Sequence, residues 1–180
     1  MKALAPILCL ALAACGLSKD DGSVFAVYRD TEAPISSQAV FDPQRYLGLW
    51  YEVARFPVFF EEGCVGVTAE YGLRDDGLLS VLNICRNPDG TERSRIEGTA
   101  EIVGPGRLKV RFPSVPFGAA DYWVLWTDAD YDTAVVGAPN GRAGWILNRT
   151  PEIRADRLNA ARDVLKFNGY DVSRLMEVPQ

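Results

Sequence analysis

Gly48-Leu49-Trp50-Tyr51-Glu52 starts the first of a series of short β-like runs, and the rhythm of those runs decides the fold. From Trp50 onward they fall near residues 50–57, 65–73, 78–86, 92–102, 107–113, 121–127, 132–138 and 143–149. The stretches Arg74-Asp75-Asp76-Gly77, Asn87-Pro88-Asp89-Gly90, Gly104-Pro105-Gly106, Asp128 to Tyr131 and Pro139-Asn140-Gly141 break them at intervals of about ten residues, each rich in residues that suit tight turns. This spacing predicts an all-β protein, with eight antiparallel strands in meander order closing into an up-and-down β-barrel. Downstream, Thr150-Pro151-Glu152 reads as a helix cap, and Leu158, Ala161, Val164 and Leu165 recur at helical spacing, predicting one amphipathic α-helix over 153–168, ended by Gly169 and packed outside the barrel. Upstream, Asp42 and Pro43 predict a short helical turn that opens the domain.

Strand alternation then says which residues line the barrel. Setting Trp50 inward places Glu52, Ala54 and Phe56 inside on the first strand. The same parity turns Val67, Ala69, Tyr71, Val81, Asn83, Ile96, Gly98, Ala100, Leu108, Val110, Phe112, Tyr122, Val124, Trp126, Trp145 and Leu147 inward. On the fifth strand Arg107, Lys109 and Arg111 alternate with apolar residues and face water. Side chains nearest Trp50 fill the core, while Ala54, Ala69, Gly98 and Ala100 leave volume toward the other end. Aromatic walls from Phe56, Tyr122 and Trp145 would enclose it. Such a cavity suits an elongated acyl chain, with Glu52, Tyr71, Asn83 or Tyr122 as polar contacts for a head group. Phe56-Pro57-Val58-Phe59-Phe60 and Phe112-Pro113-Ser114-Val115-Pro116-Phe117 are unusually apolar for loops. Phe59, Phe60 and Phe117 admit three readings: a ligand portal, a membrane contact or a homodimer contact.

The amino terminus carries a separate signal. Met1-Lys2, the apolar run Ala3 to Leu12 and then Ala13-Ala14-Cys15 have the order of a secretory leader, and the run is shorter than the roughly 20 residues that span a bilayer. Leu12-Ala13-Ala14-Cys15 closely resembles the lipobox of bacterial lipoproteins, which implies cleavage before Cys15 and its acylation. An ordinary signal cut near Ala13 or Ala14 is the alternative. Gly16 after the cysteine implies outer-membrane attachment facing the periplasm. The chain thus divides into a leader over 1–14, a lipidated amino terminus and tether over 15–40, and a domain over 41–180. Fully extended, the tether would reach up to roughly 80 Å.

Composition excludes several functions. With 19 Lys and Arg against 24 Asp and Glu, the net charge is −5, and losing Lys2 with the leader makes it one unit more negative. Such a domain is a poor ligand for nucleic acid. The chain has no histidine, which removes Ser-His-Asp, Cys-His and His-zinc chemistry. No pattern implies a cofactor or metal. Asp128, Asp130 and Asp132 imitate the start of a calcium loop, but Thr133 stands where its glycine belongs and Pro139 where its bidentate acid belongs. Glu61-Glu62 reads as a solvated rim pair rather than a catalytic carboxylate pair. Asn148-Arg149-Thr150 is a coincidental sequon.

Three motifs carry a family resemblance: Gly48-Leu49-Trp50, Thr127-Asp128-Ala129-Asp130-Tyr131 at the sixth turn, and Arg149 closing the eighth run. Alternating strand directions bring all three to one end of the barrel. In this order and at these intervals they resemble the signatures of the lipocalins, bacterial outer-membrane members especially, over about 42–178. The resemblance implies that Trp50 closes one end of the barrel, that Arg149 packs across it, and that the function is binding and transport of a fatty acid, a lysophospholipid or a similar hydrophobic molecule, not catalysis.

Cys64 and Cys85 are left as an even pair in an oxidising compartment once Cys9 leaves with the leader and Cys15 takes lipid. They lie on neighbouring runs with the Arg74 to Gly77 turn midway between them, which predicts a disulfide at the open end contributing about 3 kcal/mol. Two alternatives stand beside the carrier reading. One is an enzyme acting on a lipophilic substrate through Glu52 or a free Cys64, whose thiol would resemble that of the prostaglandin-isomerising lipocalin. The other is a structural envelope protein with a filled barrel.

Overall fold

The computed structural model describes residues 22, 23, 25–114 and 118–180. The expected leader, Cys15 and the portal residue Phe117 lie outside the described residues. A single helical turn α1 (Pro43–Tyr46) leads into β1 (Gly48–Arg55), β2 (Val65–Leu73), β3 (Leu79–Arg86), β4 (Glu92–Gly104), β5 (Arg107–Arg111), β6 (Ala120–Thr127), β7 (Thr133–Gly137) and β8 (Gly144–Asn148). Helix α2 (Ala155–Phe167) and a short strand β9 (Met176–Glu177) complete the chain. Each of β1 to β8 pairs with its sequence neighbour, and β8 returns to β1, so the sheet closes into an eight-stranded antiparallel barrel.

Helix α2 starts later than its sequence suggests. Thr150 does not cap it: the Thr150 hydroxyl donates to the Glu152 carbonyl at 2.7 Å, and Asn148 Nδ2 donates to both Thr150 Oγ1 and the Thr150 carbonyl, tying 148–152 into a loop. The helix begins at Ala155 with no side-chain cap. Gly169, at φ +84°, ends it in a conformation suited to glycine.

One end of the barrel is closed by the three motifs that converge there. The Asp42 carboxylate accepts from the Gln44 amide and caps α1, whose Tyr46 carbonyl accepts from Trp50 Nε1 at 2.8 Å. Arg149 lies 3.7 Å from the centre of the Trp50 ring and donates to the carbonyls of Leu49, Arg45, Leu47 and Tyr131. One planar cation thus ties α1, the start of β1 and the β6–β7 turn together. Asp128 shapes that turn by accepting from the amides of Asp132 and Thr133, both at 2.8 Å. Arg157 of α2 bridges Asp128 and Asp132, which supplies positive charge to the acidic trio Asp128, Asp130 and Asp132.

Part of the segment expected as a tether is ordered against the domain. Residues 25–40 lie along the barrel, because Tyr28 and Arg29 are buried in it. Tyr28 stacks on Phe56 at 5.1 Å, and its hydroxyl donates to the Pro57 carbonyl while accepting from the Gly22 amide. Arg29 donates to the carbonyls of Asn168, Pro139 and Ala33. The strap then runs down to the closed end, where the Gln38 amide donates to the Val124 carbonyl and the Asp42 amide to the Tyr131 hydroxyl.

Arg149→Ala is expected to cost about 2–4 kcal/mol, since it leaves several carbonyls without their charged donor and removes the ring contact. Arg149→Lys should recover less than half, a single ammonium being unable to serve divergent acceptors. Urea unfolding of the three proteins checks both.

Candidate functional site

Two register shifts decide what faces the barrel interior. On β1, Glu52 pairs with Leu147 but Ala54 with Ile146, so Val53 is an extra residue, a β-bulge. On β6, Val124 pairs with Val136 but Trp126 with Val135, and Leu125 is the extra residue. Each bulge reverses the parity of the strand beyond it. Ala54, Phe56 and Trp126, expected inside, therefore pack outside with Tyr28, Val135, Ile146, Ala161, Leu165 and Tyr170, between the barrel wall, α2 and the strap. Phe56 is sandwiched there between Tyr28 and Tyr170, each about 5.1 Å away.

Of the remaining inward expectations, Trp50, Tyr71, Val81, Ala100, Leu108, Val110, Val124 and Leu147 are buried in one interior cluster, with Ala69, Phe112, Tyr122 and Trp145 packed against it. Asn83 pairs with Ala69 and shares the inner face of Val81. Val67 instead packs with Cys64, Cys85 and Val178. The room expected at Gly98 is taken, because a Cβ there would meet the Arg111 carbonyl oxygen at 2.4 Å and the Phe112 ring at 2.6 Å.

The same β1 bulge turns Arg55 inward, opposite Trp145. Arg55 is 3 % exposed; its Nη1 donates to Glu52 Oε1 at 2.9 Å and its Nε lies 3.4 Å from Glu61 Oε2. Trp145 Nε1 donates to that same Glu61 oxygen at 3.4 Å, and Arg55 Nη2 donates to the carbonyls of Glu61 and Cys64. Glu61 is thus not the solvated rim residue expected of it; a 3-10 turn over Phe59–Glu61 folds it beneath the rim, leaving Glu62 outside. Burial, reinforced by the neighbouring Glu61 carboxylate, holds the Glu52 carboxyl well above the usual glutamate range despite Arg55. Burial also raises Glu61, against the pull of Arg55. Both carboxyls therefore titrate above the usual glutamate range over one guanidinium.

Below this trio the interior polar groups are phenols. Tyr122 Oη lies 2.7 Å from Tyr71 Oη and 2.8 Å from Tyr46 Oη, and burial pushes all three hydroxyls upward, so they stay neutral. Asn83 Oδ1 is buried without a hydrogen-bond partner.

At the open end Cys64 and Cys85 are joined in a disulfide with Cα atoms 5.3 Å apart. Cys64 accordingly presents no thiol. Between β1 and β2, which pair only over Gly48–Tyr51, the carboxyl-terminal segment fills the seam. β9 pairs with Ala54 and Arg55, the Gly66 amide donates to the Pro179 carbonyl, and Gln180 Nε2 donates to the Glu52 carbonyl. A cleft of about 370 Å³ opens beside this seam, lined by Gly22, Arg55, Phe59, Glu61, Glu62 and Met176 among others. Phe59 lines it and is 59 % exposed, and its neighbour Phe60 is 57 % exposed.

Sequence reasoning missed Arg55, the buried state of Glu61 and the closing segment 176–180. The one signal available was Glu52-Val53-Ala54-Arg55, where two polar residues bracket two apolar ones and break strict alternation. That pattern marks a bulge. The fold of Glu61 under the rim has no local signature.

Known proteins share this architecture. The family model for a lipocalin-like domain matches residues 41–180. The outer membrane lipoprotein Blc of Escherichia coli K12 is 43 % identical over 143 residues, covering 78 % of this chain and 80 % of Blc. Apolipoprotein D of Cavia porcellus is 33 % identical, covering 94 % of this chain and 92 % of its own. Among solved structures, lobster apocrustacyanin A1 superposes with a TM-score of 0.66 at 17 % identity, covering 88 % of this chain and 92 % of its own, a likeness of fold.

With raised carboxyl pKa values the native state holds a proton that the unfolded chain releases at the ordinary glutamate value. Stability from this source is greatest at acid pH and falls as pH rises from that value to the raised ones. Glu52→Gln is expected to remove the Glu52 share of this slope and to gain stability at pH 8 relative to pH 5; urea unfolding at the two values checks it. Arg55→Ala, which leaves two carboxyls buried over no cation, is expected to cost about 3–5 kcal/mol at pH 8.

Proposed function

The chain belongs to the lipocalin family, and from that premise we propose that its barrel carries an acyl-chain ligand, a fatty acid, lysophospholipid or similar molecule, in the cell envelope. Ala69, Phe112, Tyr122, Val124, Trp145 and Leu147 would contact the chain. Glu52, Tyr71 and Asn83, joined by Arg55 and Glu61, would contact the head group. The observation that carries this is Asn83 Oδ1, an acceptor buried on the inner face with no partner. A buried polar atom left unpaired costs about 1–3 kcal/mol, which a ligand donor would recover.

The reading is that of a carrier rather than an enzyme, supported by the family and by the absence of histidine from the chain. It includes acylation of Cys15 and attachment to the outer membrane on its periplasmic face. The lipobox supports the first, and likeness to a protein named outer membrane lipoprotein supports the second.

Mass spectrometry of an organic extract of the purified protein is expected to find a long-chain amphiphile at near-stoichiometric amounts. After delipidation, titration with fatty acid or lysophospholipid should saturably quench tryptophan fluorescence. Trp145→Phe should abolish most of that change and Trp126→Phe, outside the barrel, should leave it. Ala69→Phe should weaken binding about tenfold, roughly the effect of one obstructed contact layer. No saturable change with any amphiphile would refute the carrier.

A further inference from the structure

We infer that the open mouth of the barrel is held against the lipid bilayer, with Phe59 and Phe60 as its contact. This rests on the acylation of Cys15 proposed above and on where the strap ends. Gly22 forms an isolated parallel bridge with Val58, and its amide is held by the Tyr28 hydroxyl, which also holds the Pro57 carbonyl. Tyr28 is 1 % exposed and carries Arg174 over its ring at 4.3 Å. The strap is thus pinned at the mouth, beside the residues that line the rim cleft. Only residues 16–21 separate Gly22 from the acylated cysteine, a reach of about 25 Å when fully extended.

That length decides between orientations. β4 spans Glu92–Gly104, and a strand of that many residues is about 43 Å long and rises about 33 Å when tilted as in a small barrel. An anchor leaving the mouth on a tether of about 25 Å cannot pass the whole barrel and let the closed end face the bilayer. It permits mouth-down and side-on arrangements.

The surface then chooses between these two. Aliphatic residues are exposed at the closed end, Leu49, Leu73 and Val103 among them, but the exposed aromatic residues Phe25, Phe59, Phe60 and Phe167 lie toward the mouth. Phe59 and Phe60 meet edge to face at 5.2 Å, and Phe59 lines the same cleft as the pinned Gly22. Aromatic pairs on a rim, held within a short tether of a bilayer, enter the interface between head groups and acyl chains. In this arrangement an amphiphile passes between membrane and barrel without crossing water.

The test uses the full-length protein, matured in its own envelope and reconstituted in phosphatidylethanolamine and phosphatidylglycerol vesicles containing acyl-brominated lipid. Phe60→Trp and Leu73→Trp place a reporter at the mouth and at the closed end without reducing apolarity. Tryptophan at 60 is expected to be quenched at least twofold more than the native background, and tryptophan at 73 to add unquenched emission. Equal quenching at both positions, or more at 73, overturns the orientation. So does quenching at neither, with a dimer in light scattering that Phe60→Ser dissociates, which would assign the rim to a second copy. The mass of the purified protein separates the premise from the inference. A Cys15 without acyl chains overturns anchoring and orientation together and leaves the ligand reading to its own titration.

Discussion

The extra residue at Val53 is the constraint on which both faces of this barrel depend. Without it, strict alternation would send Ala54 and Phe56 into the interior and Arg55 into solvent. With it, the two apolar residues turn outward and Phe56 becomes the centre of a stack with Tyr28 and Tyr170. That stack seats the strap on one side and the segment after α2 on the other. Arg55, turned inward by the same step, can only be accommodated by carboxylates, and Glu52 and Glu61 are placed to provide them. Beyond Tyr51 β1 no longer pairs with β2, and residues 176–180 fill the seam there. One inserted residue therefore sets both the interior charge and the outer core on which the strap is seated.

Much of this architecture is legible in the sequence because it depends on local or pairwise rules. Turn residues punctuate the eight strands, Cys64 and Cys85 sit symmetrically about a hairpin, and Trp50, Tyr131 and Arg149 meet because meander order puts their strand ends together. What alternation cannot show is where it is interrupted. Ala54, Phe56 and Trp126 are each displaced by a bulge a few residues earlier at most, and a bulge is chosen by packing on both sides of the sheet. Tyr28 and Arg29 are equally hidden: a buried arginine bonded to carbonyls of 33, 139 and 168 is a tertiary arrangement, and its segment has no periodicity of its own. The helix start misleads for a local reason, since Thr150 has a nearer use in holding the loop after β8.

The two ends of the barrel solve opposite problems with the same residue type. At the closed end Arg149 meets carbonyl oxygens and an aromatic face rather than a carboxylate, and its half-exposed position keeps the desolvation of its charge modest. At the open end Arg55 is almost fully buried and meets two carboxyls, both of which burial holds above the usual glutamate range. The first arrangement fastens the fold. The second costs desolvation that a hydrophobic trio of similar volume would avoid.

That cost bears on function. A barrel that needed only to be stable would be better served by aliphatic residues at 52, 55 and 61, as it is at Val124, Val136 and Leu147. Instead a hydrogen-bonding group of low net charge sits beneath the rim cleft, above an aromatic and aliphatic interior, with an unpaired amide oxygen on the same inner surface. An amphiphile entering head-last would leave its polar end at this level and its chain below. One entering head-first would have to carry its polar group past Trp145 and Tyr122 into the neutral phenols. Under the proposed carrier reading, the gradient from polar rim to neutral floor would order the ligand as well as hold it, at the end of the barrel where the described part of the strap begins.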